Sequence, residues 1–157
     1  MVTTGPSSAP ADPILELDNQ FCFALHSAAR RVVRAYRPAL TGLDVTYPQY
    51  LVMLVVWQWD AEGHTAPTVT ALCERLDLET GTLTPLLRRL EQKKLIVRSR
   101  GSDDARELYV RVTDVGRSLK EHARSVPLSL VQGGQIPLHE IFSLRDQLKR
   151  LRDSLPR

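Results

Sequence analysis

The chain has 157 residues, 43% of them hydrophobic and 25% charged, with a formal net charge of +3. That is one ordinary domain, with core enough to need no covalent staples, and with a basicity so mild that its placement matters more than its total. Cys22 and Cys73 stand far apart, the four histidines are scattered, and the longest apolar run covers only residues 50–57. These features argue against a disulfide scaffold, a metal site and a membrane span, and no cofactor is expected. Reduced thiols in a cytoplasmic protein are the default expectation.

Residues 1–12 are rich in Thr, Ser, Pro, Ala and Gly without an apolar stretch, and read as a disordered tail, not a signal peptide. A first helix is expected from Asp12-Pro13, where Asp is a good N-cap and Pro is accepted at the first helical position. Leu17, Phe21, Leu25, Ala28, Val32 and Tyr36 form its apolar stripe, and Pro38 is expected to end it. Thr46 and Gln49 have capping-box spacing. The helix they open, to about Asp60, is apolar nearly all round and so should be buried. Pro67 opens a short helix with Val69, Leu72, Cys73 and Leu76 on one face. After a tight turn, a further helix from about Gly81 to Lys93 turns Leu83, Leu86, Leu87 and Leu90 inward, which requires Pro85 to fall close to its first turn.

Residues 95–98 and 107–112 then alternate apolar and polar about a polar, turn-rich segment, which predicts a two-stranded hairpin with a long tip. Thr113 caps one helix carrying Val115, Leu119, Ala123, Val126 and Leu130, ended by Gly133-Gly134. Pro137 starts the last helix, whose Ile141, Leu144, Leu148, Leu151 and Leu155 recur at three and four. That is a coiled-coil seam, which either packs on its own domain or pairs with a second copy; at a chain end it favours a homodimer. The fold class is therefore mainly α with a small β-hairpin. Residues 13–157 form a single domain, with a winged helix-turn-helix over 65–112 and dimerisation helices over 13–60 and 113–157.

A helix-turn-helix followed at once by a basic hairpin suits double-stranded DNA. The second helix offers Thr80, Thr82 and Thr84 at its N-terminal end, small enough for close approach to bases and phosphates, then Arg88 and Arg89. Arg106 on a thin loop, beside Asp103 and Asp104, fits the focused negative potential of a minor groove. Lys93, Lys94, Arg98 and Arg100 add charge within phosphate range. A merely solvated basic face is the alternative; the order of the elements favours DNA.

Ala71-Leu72-Cys73-Glu74-Arg75-Leu76, Thr82-Leu83-Thr84-Pro85-Leu86-Leu87-Arg88-Arg89-Leu90-Glu91, Leu95-Ile96-Val97-Arg98 and Asp103-Asp104-Ala105-Arg106 together resemble the MarR family of dimeric winged-helix regulators. The resemblance covers residues 15–155 and implies a palindromic operator as partner. Asp18-Asn19-Gln20-Phe21-Cys22, Tyr36 and Thr46-Tyr47-Pro48-Gln49-Tyr50 further resemble the organic-hydroperoxide-sensing (OhrR) branch of that family. There a single N-terminal cysteine is the sensor and two tyrosines hydrogen-bond to it. The resemblance implies Cys22 as sensor, with Tyr36 and Tyr47 as its partners.

Fourteen helical residues rise about 21 Å, so Cys22 and Tyr36 of one straight helix cannot touch. If they form a site, the tyrosine comes from the other subunit. The thiolate is the nucleophile, and phenolic hydroxyls stabilise it. The helix dipole should help little if the helix starts near residue 13. Oxidation to the sulfenic acid would repack the interface, and a coupling of a few kcal/mol would lower DNA affinity about a hundredfold. No cysteine lies in residues 125–135, so the resemblance implies the one-cysteine type, where a low-molecular-weight thiol forms a mixed disulfide or overoxidation follows. Cys73 reads as core. His26, one turn from Cys22, stands where this branch often has tyrosine; it either borders the site or is an exposed helix residue. By itself Cys22 reads by default as an inert packing residue. The chain is then a repressor released by a non-covalently bound aromatic compound, and a thiol peroxidase is a third reading that leaves the DNA-binding elements without purpose.

Overall fold

A computed structural model describes residues 12–64, 67–101, 107–133 and 137–156. The contacts divide the chain into two units, one ending at Arg34 and the other beginning at Ala35. Nearly all of the expected disordered tail lies outside the described residues.

In the first unit Asp12 does nucleate a turn: its carboxylate accepts the Ile14 N–H at 3.1 Å and its carbonyl the Leu15 N–H at 2.9 Å. The turn does not become the expected helix. A short 3-10 helix over Leu17–Asn19 follows, and α1 spans Phe21–Gly42. The cause is side-chain competition for backbone carbonyls. The Asn19 amide donates to the Pro13 carbonyl at 2.9 Å, and the Gln20 amide donates to the Glu16 carbonyl at 3.1 Å and to that of Ile14. The apolar stripe of this unit is exposed in the isolated chain: Leu17 58%, Phe21 63% and Leu25 37%.

In the second unit Pro38 lies inside α1, contrary to the expectation that it ends the helix. The turn beyond it is held by other means. Thr41 donates its hydroxyl to the Arg37 carbonyl at 2.8 Å, Leu43 and Val45 amides close on Leu40, and Leu40 is buried in the core. Packing thus outweighs the single helical N–H that proline removes.

The capping box forms as predicted: Thr46 accepts from the Gln49 backbone while the Gln49 side chain accepts the Thr46 N–H at 2.9 Å. It opens α2, Tyr47–Ala61, whose Val52, Met53, Val55, Val56 and Trp57 are all buried. This helix is the hub. α3 (Val69–Leu76), α4 (Thr80–Gln92) and the hairpin of β1 (Ile96–Arg100) and β2 (Leu108–Val112) all pack on it or on one another. β1 and β2 are antiparallel, in register from Ile96 opposite Val112 to Arg100 opposite Leu108. Pro85 is the sixth residue of α4, just past the first turn, and the helix continues through it to Gln92 with one helical N–H fewer.

Thr113 caps α5, Asp114–Ala123, by accepting the Gly116 N–H at 3.0 Å. The single helix expected from Thr113 to Gly133 is instead two, with α6 over Ser125–Gly133. Pro127 accounts for the break, because it has no N–H for the Ala123 carbonyl and its ring crowds that position. Val115, expected inward, is 56% exposed. α7 spans Leu138–Ser154. Its seam residues are exposed or half-buried, with Leu144 at 54% and Leu155 at 59%.

Gly116 fastens the N-terminus of α5 to the core. Its carbonyl accepts the Trp57 indole N–H at 2.8 Å, and a Cβ at this position would lie 2.1 Å from the Leu95 carbonyl oxygen. Beside it, Arg117 grips Asp60 through Nε and Nη2 at 2.9 and 2.8 Å, which holds the Asp60 carboxyl below its usual range.

Candidate nucleic-acid interface and thiol site

The inner face of α4 buries Leu83, Leu87 and Leu90, with Leu86 half-buried. Its opposite face carries Thr84, Pro85, Arg88, Arg89 and Gln92 around a shallow depression. All five described candidates, Thr80, Thr82, Thr84, Arg88 and Arg89, are exposed. They are not equally available. The Thr84 hydroxyl donates back to the Thr80 carbonyl at 2.8 Å, and the Thr80 hydroxyl sits 3.7 Å from the Cys73 sulfur, at the joint between α3 and α4. Arg106, with Asp103 and Asp104, lies outside the described residues.

Two cations expected to reach phosphates are engaged within the protein. Arg98 on β1 forms an ion pair with Glu91 on α4, Nη2 to Oε2 at 2.6 Å, and its backbone N–H donates to the same carboxylate at 3.0 Å. This guanidinium holds the Glu91 carboxyl below the ordinary range. Lys93, just past α4, donates both to the carboxylate and to the carbonyl of Asp44. Sequence reasoning gave Glu91 and Asp44 no such part. Their partners lie 7 and 49 residues away, and only the chain reversal after α4 and the α1–α2 turn bring them together.

Cys22 is the second residue of α1 and is exposed in the single chain. The late start of α1 reverses one expectation: Cys22 lies in the first turn, where the positive end of the helix dipole favours an anion. Phe21 and Phe23 flank it and are also exposed, and His26 is an exposed helix residue. Cys73 is half-buried against the core, in line with a packing role.

In the second unit Tyr36 of α1 and Tyr47 at the start of α2 are brought together. Their rings stack with centroids 5.9 Å apart and planes at 18°. Both are half-buried, and Tyr50 beside them is buried. Desolvation raises the pKa of all three phenols, and at Tyr36 and Tyr50 the neighbouring phenols add to the rise. The Tyr36 and Tyr47 hydroxyls therefore keep their protons near neutral pH, the form in which a phenol can donate a hydrogen bond. Among the described residues no group of His, Cys, Asp or Glu could hold a metal ion, and no single helix is long and apolar enough to cross a membrane.

Residues 34–123 match the family model of the transcriptional regulator SarA/Rot. The organic hydroperoxide resistance transcriptional regulator of Bacillus subtilis (strain 168) is 36% identical over 141 residues, covering 90% of this chain and 92% of that protein. The HTH-type transcriptional regulator TtmR of Methylorubrum extorquens (strain PA1) is 40% identical over 149 residues, covering 95% of this chain and 74% of that one. Among solved structures, reduced AbfR bound to DNA superposes with a TM-score of 0.70 at 31% identity, covering 87% of this chain and 92% of that one; AbfR is from Staphylococcus epidermidis. A MarR-family regulator from Rhodococcus sp. RHA1, at 20% identity and a TM-score of 0.74, has the same fold. The chain belongs to the SarA/Rot family of transcriptional regulators, with the MarR-type winged-helix fold and an organic hydroperoxide resistance regulator among its relatives.

Proposed function

We propose that this regulator is a homodimeric, cytoplasmic repressor that holds a palindromic operator while Cys22 is reduced and releases it when an organic hydroperoxide oxidises Cys22. The stacked, proton-retaining pair of Tyr36 and Tyr47 carries the reading. Two half-buried phenols side by side form a donor pair suited to a thiolate. Fourteen helical residues rise about 21 Å, so the reading has Cys22 meet the tyrosine pair of the partner subunit. The exposed apolar residues of the first unit, and the partly exposed seam of α7, supply the faces a dimer would cover.

The Cys22 thiolate attacks one peroxide oxygen, the O–O bond breaks, and the alkoxide leaves and takes up a proton as the alcohol. The sulfur becomes a sulfenic acid. A low-molecular-weight thiol condenses with it to a mixed disulfide and water. Either product replaces the anion that the tyrosines hold, so the interface repacks and the two recognition helices lose their half-site spacing. On the DNA side, α4 enters the major groove with Thr82, Thr84, Arg88 and Arg89 at its outer face and Thr80 at its end, and Arg106 on the wing reaches the adjacent minor groove. Residues 65–112 form the DNA-reading part, and 13–60 with 113–157 the dimerisation part.

Operator binding by anisotropy at fixed salt tests the reading, with and without one equivalent of cumene hydroperoxide. Wild type should lose the operator and regain it with dithiothreitol, while Cys22→Ser binds throughout. Unchanged binding by oxidised wild type would overturn the reading in favour of a ligand-released regulator. Many peroxide turnovers per subunit would instead make the chain a thiol peroxidase.

A further inference from the structure

The C-terminal end of the recognition helix is fastened in two directions. Glu91 ties it to the wing strand through Arg98. Lys93, immediately after the helix, ties it to Asp44, the residue at the turn between α1 and α2. That turn lies between the two stacked tyrosines in the sequence, three residues before Tyr47 and eight after Tyr36. Its backbone is closed by the Leu43, Asp44 and Val45 amides on Leu40 and Thr41 carbonyls at 3.0–3.1 Å. Asp44 itself has φ of +53°, a left-handed conformation, and presents both its carboxylate and its carbonyl to one ammonium group. Lys94 on the other side of the contact is left-handed too, with φ of +58°. Two tight turns therefore meet through a single cation, one leading into the tyrosine pair and the other out of the recognition helix.

We infer that Lys93 and Asp44 are a positioning pair that transmits between the Tyr36–Tyr47 pair and the recognition helix. A shift of the turn between the two tyrosine-bearing helices moves the acceptors of Lys93, and with them the end of α4. Binding of DNA to α4 in turn fixes the turn, since coupling between sites is reciprocal. Neither residue reaches DNA in this role. Lys93 is removed from the pool of phosphate-binding cations, and its ammonium acts through Asp44.

The inference uses the peroxide reading only for its second readout, and the first is independent of it. Hydrogen exchange of the amides in residues 43–46 is followed with and without operator DNA, at salt concentrations low enough to saturate each variant. Operator should slow exchange about tenfold or more in wild type and in Lys93→Arg, which keeps the cation, and leave it unchanged in Lys93→Met. Equal slowing in Lys93→Met, or no slowing in wild type, would overturn the inference whatever the peroxide chemistry. In the second readout, peroxide should weaken operator binding about a hundredfold in wild type and in Lys93→Arg and less than about tenfold in Lys93→Met, at matched thermal stability. Full release by Lys93→Met would also overturn it. Failure of wild type to release its operator refutes the sensor reading and leaves the exchange result to decide the pair.

Discussion

Replacing Gly116 by alanine tests whether the start of α5 is as tightly seated as the geometry implies. The new Cβ would fall 2.1 Å from the Leu95 carbonyl oxygen and 2.8 Å from Val112 Cγ2, and the first of these is backbone that cannot swing aside. α5 must then retreat by about 1.3 Å to restore an ordinary contact, with overpacking costs of about 1–3 kcal/mol. The retreat also draws the Gly116 carbonyl from the Trp57 indole N–H, now bonded at 2.8 Å. A buried donor left unpaired costs about 1–3 kcal/mol. The sum, about 2–6 kcal/mol, is a large share of the roughly 5–15 kcal/mol that holds a domain together. At about 2–4 °C per kcal/mol for a chain of this size, the melting temperature should fall by about 10 °C. Thermal unfolding of the reduced protein by circular dichroism measures this, at one protein concentration because a dimer's melting point depends on it. Tryptophan fluorescence should change with it. A fall of less than about 3 °C with unchanged fluorescence would refute the packing argument.

Other outcomes follow from the same contacts. Arg88→Ala and Arg89→Ala should each lower the slope of log affinity against log salt by about 0.9 if each guanidinium meets one phosphate, measured by anisotropy on operator DNA. Glu91→Gln should flatten the acid limb of stability. The folded-state pKa of Glu91 is depressed by Arg98, so its contribution is present above the ordinary glutamate value of about 4.3 and is lost as pH falls through the lower folded value. Urea unfolding across that range compares it with wild type. In spectrophotometric titration, Tyr36, Tyr47 and Tyr50 should ionise above the usual tyrosine value, and stability should decline as pH rises past that value, because the unfolded chain ionises first. Tyr47→Phe should retain operator binding when reduced and slow its loss to peroxide by about tenfold, the effect of one missing donor to the thiolate, read by stopped-flow fluorescence.

Much of the fold was legible because local signals there agree with tertiary packing. The Thr46–Gln49 capping box, the all-round apolar α2, the inward leucines of α4 and the alternating strands each state a local preference that the core also rewards. The readings that failed turn on proline and on side-chain competition. Pro38 has the position of a stop, yet burial of Leu40 carries α1 past it; Pro127 lies within one continuous apolar stripe, yet it divides α5 from α6. Asn19 and Gln20 take carbonyls that a helix from residue 13 would need, and so place Cys22 in the first turn of α1.

The candidate residues divide the same way. Spacing and resemblance singled out Cys22, Tyr36, Tyr47 and the outer face of α4, because each is a residue type whose chemistry is local to the residue. The stacking of Tyr36 on Tyr47, the loss of Arg98 and Lys93 to Glu91 and Asp44, and the seat of Gly116 under Trp57 were decided only by tertiary structure. Periodicity reports which side of a helix is apolar, and so the sequence by itself determined most of the elements and the faces of α2, α3 and α4, though not where α1 starts or that α5 and α6 are separate. Which cation meets which carboxylate depends on turns that join residues up to 57 positions apart, and no local pattern encodes that distance.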